Sequence, residues 1–240
     1  MERNKSVILK WVGDTMERLL ASKYLSVRVS SVLELTPEIK KISFSGDFSE
    51  TDFYPGDAVA FRVSDHEFRN YTLSAFNKGE GSCEIIFHTH GAGPGSHFAT
   101  HLLGGEQLKM VIPRGRKMLE KEKKYHFFFG DETSLSLVSL FAREIRNNNQ
   151  YYHGILELRM ENLEVIKRLD LSVHGVLKSP GNPAKNAISC LEVMRNDCPD
   201  MFKEGLFYLT GNGLSIQRFR RALKMMGVIP KNIKAQAYWI

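Results

Sequence analysis

From Tyr24 the chain reads with a period of two. Leu25, Val27 and Val29 alternate with polar residues, and Ile39 and Ser43 do so less cleanly. Successive side chains of a strand point to opposite faces, so alternation predicts strands with one face buried. Segments 25–35, 39–45, 58–63, 70–75, 83–90 and 107–112 fit this description. Turn residues separate them, at Ser45-Gly46-Asp47, Tyr54-Pro55-Gly56-Asp57 and Lys78-Gly79-Glu80-Gly81. Six short strands at this spacing predict an antiparallel β-barrel. Pro94 then opens a helix running to about Leu103, in the first-turn position that proline favours. Ahead of the barrel, Val7, Leu9, Trp11, Val12, Met16, Leu19 and Leu20 predict an amphipathic helix over 5–22, packed on the body or on a partner.

Past the charged stretch Glu120–Lys124 the pattern becomes strand, helix, strand. Tyr125–Phe129 is a continuous apolar strand, followed by a helix over 133–146 with Asp131 near its cap. Strands follow at 153–160, 171–177, 206–210 and 233–239, with helices at 188–195 and 214–226 and a Pro/Gly loop at 178–186. Such alternation predicts a parallel sheet covered by helices. The expected organisation is an N-terminal helix (1–22), a six-stranded barrel domain (23–121) and an α/β domain (122–240).

Hydrophobic content of 42% and charged content of 25% are ordinary for a globular chain of 240 residues. The net charge of +6 is compatible with anionic ligands or simply with a basic solvated surface. The basic run Lys121-Glu122-Lys123-Lys124 is interrupted by acid, so no nucleic-acid partner is expected. The cysteines Cys83, Cys190 and Cys198 are odd in number and contain no Cys-x-x-Cys. This argues against a disulfide framework, a thiolate zinc site and a four-cysteine cluster, and points to a reducing cytoplasm. No signal peptide is read at the start, and no apolar run approaches the ~20 residues of a membrane span.

Candidate chemistry concentrates in two pieces of the barrel half. Arg69-Asn70-Tyr71-Thr72 offers a cation, a flat ring and a hydroxyl on an extended segment. His88-Thr89-His90-Gly91-Ala92-Gly93-Pro94-Gly95-Ser96 is a glycine-rich turn opening a helix. Free backbone N–H groups and the positive end of the helix dipole make such a turn a phosphate seat. Alternation places Arg69 and Tyr71 on one face and Thr72 on the other. An exposed edge strand and an ordinary capped helix start would use the same residues, and their joint spacing is what favours a dinucleotide with a flat ring system.

RNYT followed by HGAGPGSHFA resembles the flavin-binding signature of the siderophore-interacting proteins, a branch of the ferredoxin reductase-like flavoproteins. The resemblance continues through Gly105-Glu106, Pro113-Arg114-Gly115, Gly130-Asp131-Glu132-Thr133 and Tyr238-Trp239, and spans roughly residues 24–239. It implies a FAD-dependent reductase that takes electrons from NADPH or NADH, or from a protein donor, and releases Fe(II) from a ferric siderophore. It further implies that Arg69 binds the flavin diphosphate, Tyr71 stacks on the flavin ring and Thr72 bonds near its N5. Tyr71 and Thr72 are thereby the catalytic candidates. Asn70, His88, His90, Gly93, Gly95 and Ser96 complete the expected FAD contacts, with Tyr238 and Trp239 near the flavin. Gly130, Asp131, Thr133, Gly211 and Asn212 would hold the nicotinamide nucleotide. Arg159 is the candidate cation for an extra phosphate, with Lys178 and Lys185 behind it. Lys109, Arg114, Arg116 and Lys117 form a candidate basic rim for an anionic chelate.

The chain departs from the family pattern at Phe98, where Trp is usual, at Ser136, where Pro is usual, and at Asn212, where an acid is usual. The last two leave open a flavin- or siderophore-binding module without efficient turnover. His88, His90, His97 and His101 fall within fourteen residues. Their i, i+2 and i, i+4 spacings keep a metal-binding alternative open. With no Asp, Glu or Cys among them, no metal site is expected.

Overall fold

The computed structural model describes residues 24–91, 93–115 and 118–240. The helix expected over 5–22 lies outside the described residues. The chain divides into two compact units. One holds β1 as far as Glu34 and the chain from Lys40 to the close of the first sheet, and the other holds Leu35–Ile39 and Met118–Ile240. The second unit thus starts at Met118 rather than at the expected residue 122. The cause is local: Met118 is buried, its carbonyl accepts Lys234 Nζ at 2.8 Å, and Glu120 pairs with the same ammonium at 2.6 Å.

The first unit is an antiparallel, barrel-like sheet that is not closed. Its strands are β1 (Tyr24–Thr36), β2 (Ile39–Gly46), β3 (Ala58–Arg62), β4 (Phe68–Thr72), β5 (Ala75–Asn77), β6 (Ser82–His88) and β7 (Gln107–Arg114), in the order β4-β3-β7-β1-β2-β6-β5. The alternation seen in the sequence is real: Val27 and Val29 are buried while Ser26, Arg28 and Ser30 are exposed. Seven strands stand where six were expected, because the single strand read over 70–75 is two. Thr72 still pairs with Ala58 of β3, whereas the Ser74 N–H already donates to the Glu84 carbonyl at 2.7 Å. Leu73, fully buried, is the corner at which the chain leaves one sheet edge for the other. A step of two or three residues spans at most about 10 Å, so the two edges must approach and the sheet must curl. Helix α1 (Pro94–His101) follows β6, and Ala99 and Leu102 join the barrel core around Phe44, Phe61 and Phe87.

The second unit is a five-stranded parallel sheet, with β8 (Tyr125–Asp131), β9 (Tyr151–Leu158), β10 (His174–Leu177), β11 (Leu206–Asn212) and β12 (Ile233–Trp239) in the order β10-β9-β8-β11-β12. Its helices are α2 (Leu135–Asn147), a single turn α3 (Val165–Arg168), α4 (Lys185–Asp197), α5 (Pro199–Glu204) and α6 (Gly213–Met225). Helices α3 and α5 were not anticipated. Central strands read as unbroken apolar runs because both faces are covered. Phe127 and Phe129 join the core that includes Phe219 of α6, while Phe128 meets Phe141 of α2 on the opposite face.

Phe219 lies flat on Phe129, with ring centroids 3.9 Å apart and an interplanar angle of 6°. Phe219→Ala should therefore cost about 3–5 kcal/mol, the range for a buried phenylalanine. Denaturant unfolding followed by far-UV circular dichroism checks this; a loss below about 1 kcal/mol would contradict the packing described.

Candidate functional site

In the first unit, β4 and the start of α1 bring the expected residues together. Arg69 and Tyr71 pair with Phe61 and Val59 of β3 and so share a face. Gly95 sits directly beneath them: a Cβ there would lie 2.6 Å from the Tyr71 hydroxyl and 3.6 Å from Arg69 Cγ. The Tyr71 ring packs against the barrel core, its centroid 4.7 Å from that of Phe87 and 6.2 Å from that of Phe61. Burial pushes the Tyr71 phenol up to about 12, against a downward pull from the Arg69 charge, so it is a donor at neutral pH. Among the described residues that hydroxyl has no hydrogen-bond partner, and neither does the Ser96 hydroxyl, though both atoms are buried. No side chain caps α1, and its first turn carries no acid. Space is open beside Gly91 and Gly93, where an added Cβ would meet nothing within 4 Å.

Arg69 has a companion that the sequence reading passed over. Its Nη2 pairs with Glu67 Oε1 at 2.7 Å, and its Nη1 donates to the Phe68 carbonyl at 3.1 Å. Asn70 is exposed, and Thr72 is half-buried on the opposite face. His88 ends β6, its ring 4.4 Å from that of His90. His97 and His101 stack at 4.7 Å, with His101 Nδ1 2.7 Å from the His97 carbonyl oxygen. Among the described residues no group of three His, Cys, Asp or Glu is placed to hold a metal.

Of the expected basic rim, Lys109 is the residue whose side chain is described. Arg114 ends β7 opposite Ala58, which on its other side pairs with Thr72. Lys109, exposed and opposite Ser26, lies five residues back along the strand, about 17 Å away at the strand rise. It sits 6.0 Å from the Tyr24 ring. Arg116 and Lys117 lie outside the described residues.

At the carboxyl end of the second sheet a single carboxylate collects the strand ends. Asp131 is buried. Its Oδ1 accepts the Thr133 N–H at 2.9 Å and the Thr133 hydroxyl at 2.5 Å. Its Oδ2 accepts the Asn212 N–H at 3.0 Å and the Trp239 indole N–H at 2.9 Å. Gly211, at φ +101°, is pressed on this carboxylate, and a Cβ there would stand 2.7 Å from it. A Cβ on Gly130 would come within 2.3 Å of Ser134 Oγ. Asn212 caps α6, its Oδ1 accepting the Ser215 N–H at 2.9 Å.

Residues 62–117 match the family model of the siderophore-interacting FAD-binding domain. The resemblance to that family, and to the ferredoxin reductase-like flavoproteins around it, is borne out. The siderophore-interacting protein SipS of Aeromonas hydrophila is 18% identical, with a TM-score of 0.73 over 90% of this chain and 91% of its own. The siderophore-interacting protein of Acinetobacter baumannii is 17% identical, with a TM-score of 0.71 over 90% of each chain. Ferredoxin-NADP+ reductase of Plasmodium falciparum, 13% identical, reaches a TM-score of 0.73 over 90% of this chain and 97% of its own. Comparison with curated proteins finds no match. The fold is therefore ferredoxin reductase-like, and the matched domain is of the FAD-binding type.

The residues of the first unit fit that cofactor. Two buried hydroxyls without partners, an uncapped helix start, open glycines and an arginine are what a diphosphate-bearing flavin would use. The turns of the second unit are different, because their own groups fill them. Gly130, Asp131, Gly211 and Asn212 serve strand-end packing and capping rather than an open phosphate seat. Arg159 is likewise engaged, pairing with Glu38 at 2.9 Å, while its N–H donates to Glu132 Oε1 at 2.8 Å.

Sequence reading gave Glu132 no role of its own within its tetrad and missed Glu157; both are buried. Glu132 takes the Lys178 ammonium and Glu157 Oε2 accepts the Ser215 hydroxyl at 2.9 Å. The signal was available: Glu157 interrupts the apolar strand run Gly154-Ile155-Leu156-Glu157-Leu158, and a charge there requires partners.

Burial raises the Glu157 pKa above 4.5, opposed by the Ser215 hydroxyl, the Ala184 N–H and the Lys178 charge. For a carboxyl raised in the folded state, the contribution to stability is whole below the unfolded pKa. It is lost as pH rises through the folded pKa. Glu157→Gln should flatten the decline in stability that the parent shows above about pH 4.5. Urea unfolding across a pH series reads the slope; identical slopes for parent and variant would contradict the assignment.

Proposed function

We propose that the chain is a cytoplasmic FAD-dependent oxidoreductase that passes electrons from NADPH, NADH or a protein donor to a ferric siderophore. The pair of buried, unpartnered hydroxyls at the uncapped start of α1, Tyr71 and Ser96, is the observation that supports it most directly. The matched FAD-binding domain and the ferredoxin reductase-like fold support the oxidoreductase class. The siderophore comes from the family description and from the printed names of the SipS-type structures.

Each residue has a role in this reading. The free N–H groups at Gly95 and Ser96 and the Ser96 hydroxyl bind the diphosphate, helped by the roughly half positive charge of the helix start. Arg69 exchanges Glu67 for a phosphate oxygen. Tyr71 donates its hydroxyl and positions the ring system; Thr72 donates near the reacting nitrogen. His88 and His90 line the approach with Asn70, and Gly93 leaves room for the ligand backbone. The chemistry FAD supplies when bound is the conversion of a two-electron donation into single-electron transfers. Iron needs no protein ligand in this scheme, since an electron can reach the outer sphere of the chelate. Fe(II) then holds the chelator's oxygens less firmly than Fe(III) and leaves. Of the proposed basic rim, Lys109 and Arg114 belong to β7, and the backbone of Arg114 pairs with Ala58.

The nucleotide donor would bind over the carboxyl end of the second sheet, against Thr133 and the half-exposed Trp239 ring. A specific observation favours a second reading, a flavin-binding module with poor nucleotide turnover: the turns at Gly130 and Gly211 are filled by Ser134 and Asp131.

Purified protein should be yellow and show oxidised-flavin absorption. Arg69→Ala should weaken FAD retention by roughly tenfold, the loss of one charge-assisted phosphate contact, without lowering the melting temperature. Anaerobic mixing with NADH and NADPH then separates the readings. Bleaching of bound flavin supports the reductase, while a flavin that stays oxidised with both nucleotides favours the module. A folded, colourless protein that refuses added FAD overturns both.

A further inference from the structure

A separate feature lies in the second unit. Residues 205–240 contain six Lys and Arg residues and no Asp or Glu. The whole chain has 33 basic and 27 acidic residues, so its entire excess of +6 resides in this last segment. Four of the six, Arg218, Arg220, Arg221 and Lys224, stand on α6 and are exposed. Among the described residues no ion pair joins them to an acid. Arg218 donates only to neutral oxygens, Asn182 Oδ1 and the Pro183 carbonyl. Lys234, by contrast, is neutralised by Glu120. Helix α4, which packs beside α6, offers Glu192 and Asp197, but neither is paired with these cations.

Helical periodicity orders this face. Leu214, Arg218, Arg221 and Met225 follow at i, i+4, i+7 and i+11, a single stripe along the helix. Ile216, Phe219 and Leu223 point the other way, into the core, and are buried. The stripe carries an apolar side chain at each end, Leu214 at 51% and Met225 at 80% exposure, with two arginines between. Arg220 and Lys224 flank it on one side.

Three occupants could match such charge. A bilayer would need the apolar stripe of the helix for insertion, and that stripe is already buried in the core. A nucleic acid gains affinity by neutralising many phosphates, but the remainder of this chain is neutral overall. Its backbone would also leave Leu214 and Met225 unused. An acidic protein surface uses both parts: carboxylates for the arginines, and apolar side chains for the exposed leucine and methionine. Arginine and methionine are both enriched at protein interfaces, where opposed charge steers the encounter.

We propose that the outward face of α6 docks an acidic protein, with Leu214 and Met225 as its apolar contacts and Arg218, Arg220, Arg221 and Lys224 as its charge contacts. The proposal does not depend on flavin binding and is tested without it. The probes are a labelled peptide of Glu and Leu, a matching peptide of Glu alone, a short DNA duplex, and vesicles of phosphatidylglycerol and phosphatidylcholine. Binding to the full chain is read by fluorescence polarisation, or by sedimentation for vesicles, at two salt concentrations.

The parent should bind the Glu/Leu peptide more tightly than the all-Glu peptide, the duplex or the vesicles. R218Q/R220Q/R221Q/K224Q should weaken that binding by about tenfold or more and melt at the parent's temperature. A control with Lys78, Lys121, Lys167 and Lys203 changed to Gln should bind like the parent. L214S/M225S should abolish the preference for the Glu/Leu peptide over the all-Glu one. Tighter binding to duplex or vesicles, equal losses in the α6 and control variants, or no peptide binding by the parent would each overturn the proposal.

Discussion

A buried polar atom without a partner is costly, by about 1–3 kcal/mol for each donor or acceptor, and the two units meet this constraint in opposite ways. In the second unit, Asp131 draws donors from Thr133, Asn212 and Trp239 onto one carboxylate, and the strand ends close over themselves. In the first unit, Tyr71 and Ser96 are left with buried hydroxyls that nothing among the described residues satisfies. A fold can carry such groups when a ligand supplies the missing bonds. The constraint therefore marks the start of α1 as a place for a guest and the carboxyl end of the second sheet as a place already built.

Gly95 shows why the meeting of β4 with the start of α1 was legible in the sequence. Its neighbours in space, Arg69 and Tyr71, lie on a strand whose period of two is visible, and it directly follows the proline that opens α1 at the end of a glycine-rich turn. Each piece announces its own local geometry, and the structure only has to bring the pieces together. Strands such as β8 were legible for a similar reason: a run of apolar residues with no polar face has to be covered twice. The corner at Leu73 was not legible, because a buried leucine inside an apolar strand looks like any other strand residue. Only the transfer of pairing partner from Ala58 to Glu84 shows that the sheet changes edge there.

Arg159 illustrates a different limit. A cation at a strand end reads as a phosphate ligand, and nothing nearby in sequence says otherwise. Its partner Glu38 is more than a hundred residues away and sits on the β1–β2 turn, which belongs to the second unit. Asn162 strengthens that attachment, donating to Glu38 at 3.0 Å and accepting from Thr36 at 2.7 Å. Long-range polar pairs of this kind carry no local signature. The same holds for Glu67 beside Arg69, although only two residues separate them, because a strand pattern by itself does not show which way a long side chain turns.

Charge, too, divides by location. The net value of +6 decides nothing when taken as a property of the whole surface, but its confinement to the last segment does. Most cations elsewhere that flank the expected sites are matched: Arg69 by Glu67, Arg159 by Glu38, Lys178 by Glu132. Such pairing sets a threshold for binding an anion, since a phosphate must displace a carboxylate rather than water. Arg69 can meet that threshold, because it is 46% exposed, its partner Glu67 is 29% exposed, and solvent screens the pair. Lys178 faces a carboxylate with no exposure at all, so exchanging it would strand a buried charge. A paired cation is thus exchangeable at Arg69 and a structural tie at Lys178, and burial of the partner carboxylate is what separates them.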